Sequence, residues 1–294
     1  MTQRSRFRAL LQRDEMIVAP GAYDCITAKL IEQAGFAAVY MTGAGTAASL
    51  GYPDFGLVTM SEMAANAGRL AAAVEVPVVA DADTGYGNEL NVFRTVREFE
   101  SRGVAGIHIE DQVFPKKCGH LEGKEIIPRE DYLAKIRAAI AARRDPNFTI
   151  IARTDARAVG GFDEAIARAN AALIAGADMA FVEAPQTEEE VAAVPRLVNG
   201  PSLLNVVRGG KTPDIDLRHA EALGYKLAIV PGLLIKSVVG ICDKMLSELK
   251  STHRHPRPIK EITVPDMFRR FGADEWDSLR ERFRAASTAR EAAQ

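Results

Sequence analysis

Gly103-Val-Ala-Gly-Ile-His-Ile109 runs directly into Glu110-Asp-Gln-Val-Phe-Pro-Lys-Lys-Cys-Gly-His120. The first stretch has the length and composition of a buried strand, and it stops on two carboxylates, Glu110 and Asp111. A strand that ends in this way puts charge at the rim of a sheet. The polar loop beyond it holds one thiol, Cys118, among Lys116, Lys117 and His120. Cations beside a thiol favour the thiolate and lower its pKa, so Cys118 is expected to serve as a proton donor or nucleophile.

The same arrangement recurs along the chain. Short apolar runs at 16–20, 36–41, 76–80, 104–109, 148–152, 179–182, 202–205 and 227–230 each precede a stretch with helical spacing. Alternating strands and helices imply parallel pairing through crossovers. Eight such units at this length fit an α/β fold of the closed (β/α)8, TIM-type barrel class better than an open sheet. An open dinucleotide-binding sheet would carry Gly-x-Gly-x-x-Gly after its first strand, where this chain has Pro20-Gly-Ala-Tyr-Asp24. The segment Thr42-Gly-Ala-Gly-Thr46 reads as a Gly-rich loop. Ser251-Thr-His-Arg-His-Pro-Arg-Pro258 reads as a linker, because two prolines exclude a continuing helix. The expected organisation is therefore a barrel over 1–250 and a linker with a C-terminal helical arm over 251–294. The arm's helix, from 264 to about 286, carries Met267, Phe268, Phe271, Trp276, Leu279 and Phe283 as an apolar stripe.

Composition limits the partners. The chain has 294 residues, 47% hydrophobic and 26% charged, with a net charge of -2. That balance gives no reason to expect nucleic acid or a membrane surface. Cys25, Cys118 and Cys242 are odd in number and far apart, so no disulfide framework is suggested. A reducing cytoplasm is the economical expectation, with a small-molecule ligand.

In such a barrel the chemistry sits where the strands end. Those ends carry Tyr40 and Thr42, Asp81 and Asp83, Glu110, Arg153 and Asp155, Glu183, and Asn205. Charged groups beside buried runs are costly unless paired or metal-bound. Asp155 alone reads as half of a structural salt bridge, but carboxylates from several strand ends point to a cation with an anionic ligand. All-oxygen donors without a His or Cys cluster suit a hard ion, Mg2+ or Mn2+, over zinc. Asp54, in Gly51-Tyr-Pro-Asp-Phe-Gly56, reads from its neighbours as a turn residue.

The Lys-Lys-Cys-Gly-His run resembles a signature of the isocitrate lyase/phosphoenolpyruvate mutase superfamily. The resemblance extends to Met41-Thr-Gly-Ala-Gly-Thr46, Gly51-Tyr-Pro-Asp54, Asp81-Ala-Asp-Thr-Gly-Tyr-Gly87, Ala152-Arg-Thr-Asp-Ala156 and Asn205 with Gly209-Gly-Lys-Thr-Pro213, over roughly residues 5–250. It is nearest the short bacterial branch of methylisocitrate lyase, dimethylmalate lyase and carboxyvinyl-carboxyphosphonate phosphorylmutase. The resemblance implies that Asp81 binds Mg2+ directly, while Asp54, Asp83 and Glu110 hold its waters. It implies that Thr42, Gly43 and Ala44 cradle the 2-oxo-acid end of a substrate, Ala44 being a mild departure from the family. Arg153 would grip a carboxylate, and Glu183, Asn205 and Gly119 would line the pocket. It also implies a homo-oligomer, a dimer of helix-swapped dimers, in which C-terminal helices are exchanged between protomers.

The implied activity is retro-aldol cleavage of a 2-hydroxy di- or tricarboxylate to a 2-oxo acid such as pyruvate plus a carboxylate. Tyr40, assisted by Arg153 and Glu183, is the candidate for taking the hydroxyl proton. Cys118 would protonate the remaining carbanion, with Lys116, Lys117 and His120 lowering its pKa. His108 is equally a packed core histidine or a site residue. The family's lyases commonly carry an acidic residue after the Asn205 position, where this chain reads Val206-Val-Arg-Gly-Gly-Lys211, so the expected substrate shifts from methylisocitrate toward other 2-substituted malates. Alternatives are a P–C bond mutase, oxaloacetate hydrolysis or decarboxylation, and a non-catalytic oxo-acid binder; the intact Cys loop argues against the last.

Overall fold

The computed structural model describes residues 1–291. Among them each expected apolar run supplies a strand: β1 (Ile17–Ala22), β2 (Val39–Met41), β3 (Val78–Asp81), β4 (Gly106–Glu110), β5 (Thr149–Thr154), β6 (Met179–Val182), β7 (Ser202–Asn205) and β8 (Leu227–Val230). All neighbours pair in parallel, and β1 pairs with β8 to close the barrel. Helices on the outside include Cys25–Gln33, Met60–Ala73, Glu89–Ser101, Arg129–Ala142, Phe162–Ile174, Glu188–Leu197 and Leu217–Leu223. Several start where a short polar side chain caps free backbone N–H groups, as at Asp24, Thr59, Asn88, Thr187 and Asp216.

The alternation of side chains along each strand sorts them into two layers. Ile107 and Ile109 face the helices, in a cluster with Val78, Ala80 and Phe99. Tyr40, Val79, Ile151, Phe181, Leu203 and Ile229 fill the interior. The same parity that sends Ile107 and Ile109 outward sends His108 and Glu110 inward.

The interior cluster also includes Phe7 and Leu10, from the opening helix Gln3–Leu11. Polar side chains of this helix donate to carbonyls in the segments that lead into the strands: Gln3 to Ala71 and Val74, Arg4 to Glu100 and Val104, Arg6 to Glu75, and Arg8 to Asn147 and Phe148. The helix thus closes the end of the barrel from which the strands start.

Two expectations are corrected. The Gly-rich segment after β2 is the first turn of a helix, Gly43–Ser49, with Thr42 as its cap at 3.3 Å from the Gly45 N–H. Thr42 and the following Ala-Ala favour the helix, while Gly43 is needed for proximity: a Cβ there would meet the Asp81 carboxylate. In the arm, the single helix expected from 264 is two, Val264–Arg269 and Ala273–Glu291. They are separated at Gly272, whose φ of +90° suits glycine.

The chain divides into two compact units, Met1–Val238 and Val239–Gln294. In the second unit Met267, Phe268 and Trp276 are exposed. Residues 292–294 of the expected arm lie outside the described residues. No helix among the described residues is long and apolar enough to cross a membrane.

Candidate active site

The inward parity of the strands continues past their ends, so β2 to β7 deliver Tyr40, Asp81, Asp83, Glu110, Arg153, Asp155, Glu183 and Asn205 to one end of the barrel. All are buried. Asp83 and Ala184, just beyond β3 and β6, adopt φ of +46° and +52°, left-handed conformations that non-glycine residues rarely hold away from functional sites.

The acidic side is tied together by Lys116. Its ammonium lies 2.6 Å from Asp54 Oδ1 and 2.7 Å from Asp83 Oδ1, with only 2% of the side chain exposed. Asp54 therefore belongs to the site, although its neighbours in sequence marked only a turn. Asp81 accepts the Asp83 N–H at 2.9 Å. Burial pushes the Asp81 carboxyl up, but His108, Lys116 and Arg153 outweigh it and hold it below the usual carboxylate range. Burial raises Asp83 to about 6, against Lys116 and reinforced by Asp81 and Asp54. Burial also raises Glu110 well above its ordinary value, against Arg153 and Lys116.

On the other side Arg153 is the hub. Its guanidinium pairs with Glu110 at 2.9 Å, with Asp155 at 2.9 Å and with Glu183 at 3.9 Å, and it lies over the Phe181 ring. Asp155 forms the salt bridge expected of it, and a second one to Lys124 at 2.8 Å. Asn205 donates to both Glu183 oxygens at 3.2 Å. His120 Nδ1 accepts the Lys211 backbone N–H at 3.0 Å, which leaves the ring proton on Nε2, 3.2 Å from Glu183 Oε1. Burial lowers the His120 pKa despite Glu183, so the ring is neutral.

The Cys loop lies over this hub. Its two ends are paired, Val113 N–H to Glu125 O and Ile127 N–H to Asp111 O, both at 2.9 Å. Gln112 grips Lys117 twice, donating to its carbonyl at 2.8 Å and accepting its N–H at 3.0 Å. The Cys118 N–H donates to Asp54 O at 3.1 Å. Gly119 rests so close to Arg153 and Glu183 that an added Cβ would stand 2.6 Å from Arg153 Nη2. Asp54, Cys118 and the Arg153 hub thus share one end of the barrel.

The expected electrostatics of the thiol are reversed. Burial, Asp54 and Glu183 raise the Cys118 pKa, against the His120 backbone hydrogen bond and Lys116. The loop's cations are engaged elsewhere: Lys116 by Asp54 and Asp83, and Lys117 by the Gly123 carbonyl at 3.1 Å. A thiol so placed stays protonated at neutral pH, which suits a proton donor and not a nucleophile.

Tyr40 is also modified by its setting. Its hydroxyl lies 2.8 Å from His108 Nε2 and 3.3 Å from Asp81 Oδ2. Burial and Asp81 raise its pKa well above that of a free phenol. The hydroxyl remains protonated, and it can accept a proton only while passing its own to Asp81 or His108. Burial lowers His108 to about 4, so the ring is a neutral member of this chain, with Nδ1 unpartnered. His108 is both packed and part of the site.

Asp111 departs from its expected place at the rim. It accepts Thr154 Oγ1 at 2.6 Å, the Asp155 N–H at 2.8 Å and Arg168 Nη1 at 3.1 Å. It follows Glu110, so the alternation directs it to the outer layer, where Arg168 of helix Phe162–Ile174 meets it. Sequence reasoning did not identify Arg168, Lys124 or the Gln112 grip. Arg168 and Lys124 reach segments 57 and 31 residues away, and Gln112 acts within its own loop; none of these contacts leaves a periodic trace. Arg208 is exposed, and its carbonyl accepts Lys236 Nζ at 2.7 Å.

The donors fit a hard divalent ion. Among the described residues no three Asp, Glu, His or Cys side chains converge as a complete ligand cage. Magnesium does not require one, because it keeps several waters and takes few carboxylates directly. Buried Glu110 Oε1 has no hydrogen-bond partner. Burial raises Asp83 and Glu110 against Lys116 and Arg153, and a cation beside Asp81 would favour their charged forms.

Known proteins resemble this chain in sequence and fold. The chain is 52% identical over 232 residues to 2,3-dimethylmalate lyase of Eubacterium barkeri, covering 79% of this chain and 80% of that one. Among solved structures, oxaloacetate acetylhydrolase in complex with 3,3-difluorooxalacetate superposes with a TM-score of 0.91 at 37% identity, covering 95% and 96% of the two chains. Phosphonopyruvate hydrolase, in complex with oxalate and Mg++, superposes with a TM-score of 0.86 at 29% identity, covering 96% and 99%. The family model described as Phosphoenolpyruvate phosphomutase matches residues 7–250. The barrel, the acidic strand ends and the Cys loop all lie within the matched residues, and this chain belongs to the phosphoenolpyruvate phosphomutase family, within the isocitrate lyase/phosphoenolpyruvate mutase superfamily.

Proposed function

We propose that the protein is a Mg2+-dependent carbon–carbon lyase that cleaves a 2-substituted malate to a 2-oxo acid, such as pyruvate, and a carboxylate. The observation that carries the proposal is the largely buried Cys118 thiol on a loop that lies over Arg153 and Glu183 beside Asp54, Asp81, Asp83 and Glu110. The similarity to 2,3-dimethylmalate lyase supports the substrate class.

Asp81, the carboxylate held ionised, would take the ion directly, with Asp54, Asp83 and Glu110 on its waters. When bound, Mg2+ supplies acidification of the substrate hydroxyl and charge stabilisation of the emerging 2-oxo acid. Thr42, Gly43 and Ala44 bind the 2-oxo-acid end, and Arg153 holds a carboxylate in a fork. The hydroxyl proton leaves through Tyr40 toward His108. As the C2–C3 bond breaks, its electron pair passes to the departing carboxylate fragment, and Cys118 delivers the thiol proton to that carbon. Gly119 and His120, held against Glu183, exclude water from the carbanion. Solvent restores the thiol proton after release.

The test is a panel of substituted malates, isocitrates and methylisocitrate with Mg2+, read by formation of pyruvate or glyoxylate. Pyruvate from a 2-substituted malate is expected; neither product from any member refutes the proposal. Oxaloacetate belongs in the panel because of the structural likeness to oxaloacetate acetylhydrolase, and release of oxalate and acetate would support that second reading. The exposed Met267, Phe268 and Trp276 support a homo-oligomer with exchanged C-terminal helices; a monomer in analytical ultracentrifugation refutes it. Three free, separated cysteines suit the cytoplasm.

A further inference from the structure

We infer that Lys124 is a positioning residue, the latch that sets Cys118 over the site. Its side chain is 1% exposed. Its ammonium donates to the Gly119 carbonyl, one residue beyond the thiol, and to Asp155 Oδ1 at 2.8 Å. Asp155 in turn accepts Arg153 Nε at 2.9 Å and Nη2 at 3.2 Å. A continuous polar path therefore runs from the loop backbone through Lys124 and Asp155 to the arginine that is to hold the substrate carboxylate.

A buried ammonium is costly unless its protons are matched. With Gly119 lifted away, Lys124 would lose one of its two acceptors and the Gly119 carbonyl would lose its donor. The closed position of the loop is the one that satisfies both. Gln112 acts on the same loop at Lys117, but it fixes the segment before the thiol. Lys124 fixes the segment after it and connects the loop to Asp155, a counter-ion of Arg153, while His120 meets Glu183, a more distant one. Loop position and the orientation of Arg153 are thus joined through Lys124 and Asp155.

The inference rests on Cys118 as the proton donor, and its main test needs no turnover. Lys124→Met removes the ammonium while keeping the apolar stem. Labelling by N-ethylmaleimide, followed peptide by peptide, is expected to quicken at least tenfold at Cys118 and to stay unchanged at Cys25. In steady state kcat is expected to fall at least tenfold with KM changed less than threefold. Lys124→Gln, with a shorter neutral donor, is the second variant should the first not fold, with changes in the same direction and smaller. Unaltered labelling at Cys118 in a folded variant overturns the inference, as does equal quickening at Cys25, which would mean a general loosening. Quickened labelling in an enzyme inactive on every panel substrate upholds the latch and refutes the proposed lyase chemistry.

Discussion

Gly119→Ala tests whether the position of the Cys loop controls turnover. The added Cβ would stand 2.6 Å from Arg153 Nη2 and would also strike the Glu183 carboxylate, while ordinary contact begins near 3.4 Å. Arg153 and Glu183 are buried and held by Glu110, Asp155 and Asn205, so the loop must give way. The shortfall is about 0.8 Å, and a misplacement near 1 Å of a reacting group costs about 100-fold in rate. That is about 2.7 kcal/mol at the transition state. The strain sits in a loop at the barrel mouth, so Tm is expected within about 3 °C of the parent, the shift of about 1 kcal/mol in a domain of this size. The assay pairs steady-state kinetics on the substrate from the panel with thermal unfolding and Mg2+ titration. The expected result is kcat lower by about 100-fold, with Mg2+ affinity unchanged. A kcat within threefold of the parent would show that turnover does not use the loop where the structure places it.

Cys118→Ser is expected to abolish C–C cleavage while Mg2+ and pyruvate binding, followed by calorimetry, stay largely intact; unchanged turnover removes the thiol from the mechanism. Asp83→Asn is expected to weaken Mg2+ by about 10–100-fold, as loss of an outer partner does, and Asp81→Asn by more; the reverse order would exchange their roles. Arg168→Met leaves Asp111 buried without its cation and is expected to cost about 3–5 kcal/mol in urea unfolding, and a loss below 1 kcal/mol would show that Thr154 and the Asp155 N–H suffice. Gln112→Ala removes two hydrogen bonds of about 1 kcal/mol each and should increase Cys118 labelling, and equal labelling means that the grip is redundant.

The barrel was legible in the chain because closure requires little beyond eight apolar runs and helices between them. The site was legible for a related reason: strand parity, carried one or two residues past each end, points Asp81, Glu110, Arg153, Glu183 and Asn205 the same way. Parity also explains the failure at Asp111, whose neighbour Glu110 took the inward position. The thiol was misjudged because sequence adjacency to Lys116 and Lys117 says nothing of where their ammonium groups end. Lys116 serves Asp54 and Asp83, and burial then governs Cys118. Asp54 and Lys124 could be assigned only once segments 62 and 31 residues away from each other were brought together.

The arginine-rich helix at the start of the chain has a consequence for how the enzyme can be handled. Phe7 and Leu10 are the floor beneath a column of side chains that ends in the unmatched His108 nitrogen. Trimming or displacing that helix by a fused tag would admit solvent from below. The histidine and Tyr40 would then be hydrated, their proton affinities would drift toward ordinary values, and catalysis would decay with every acidic residue above still in place.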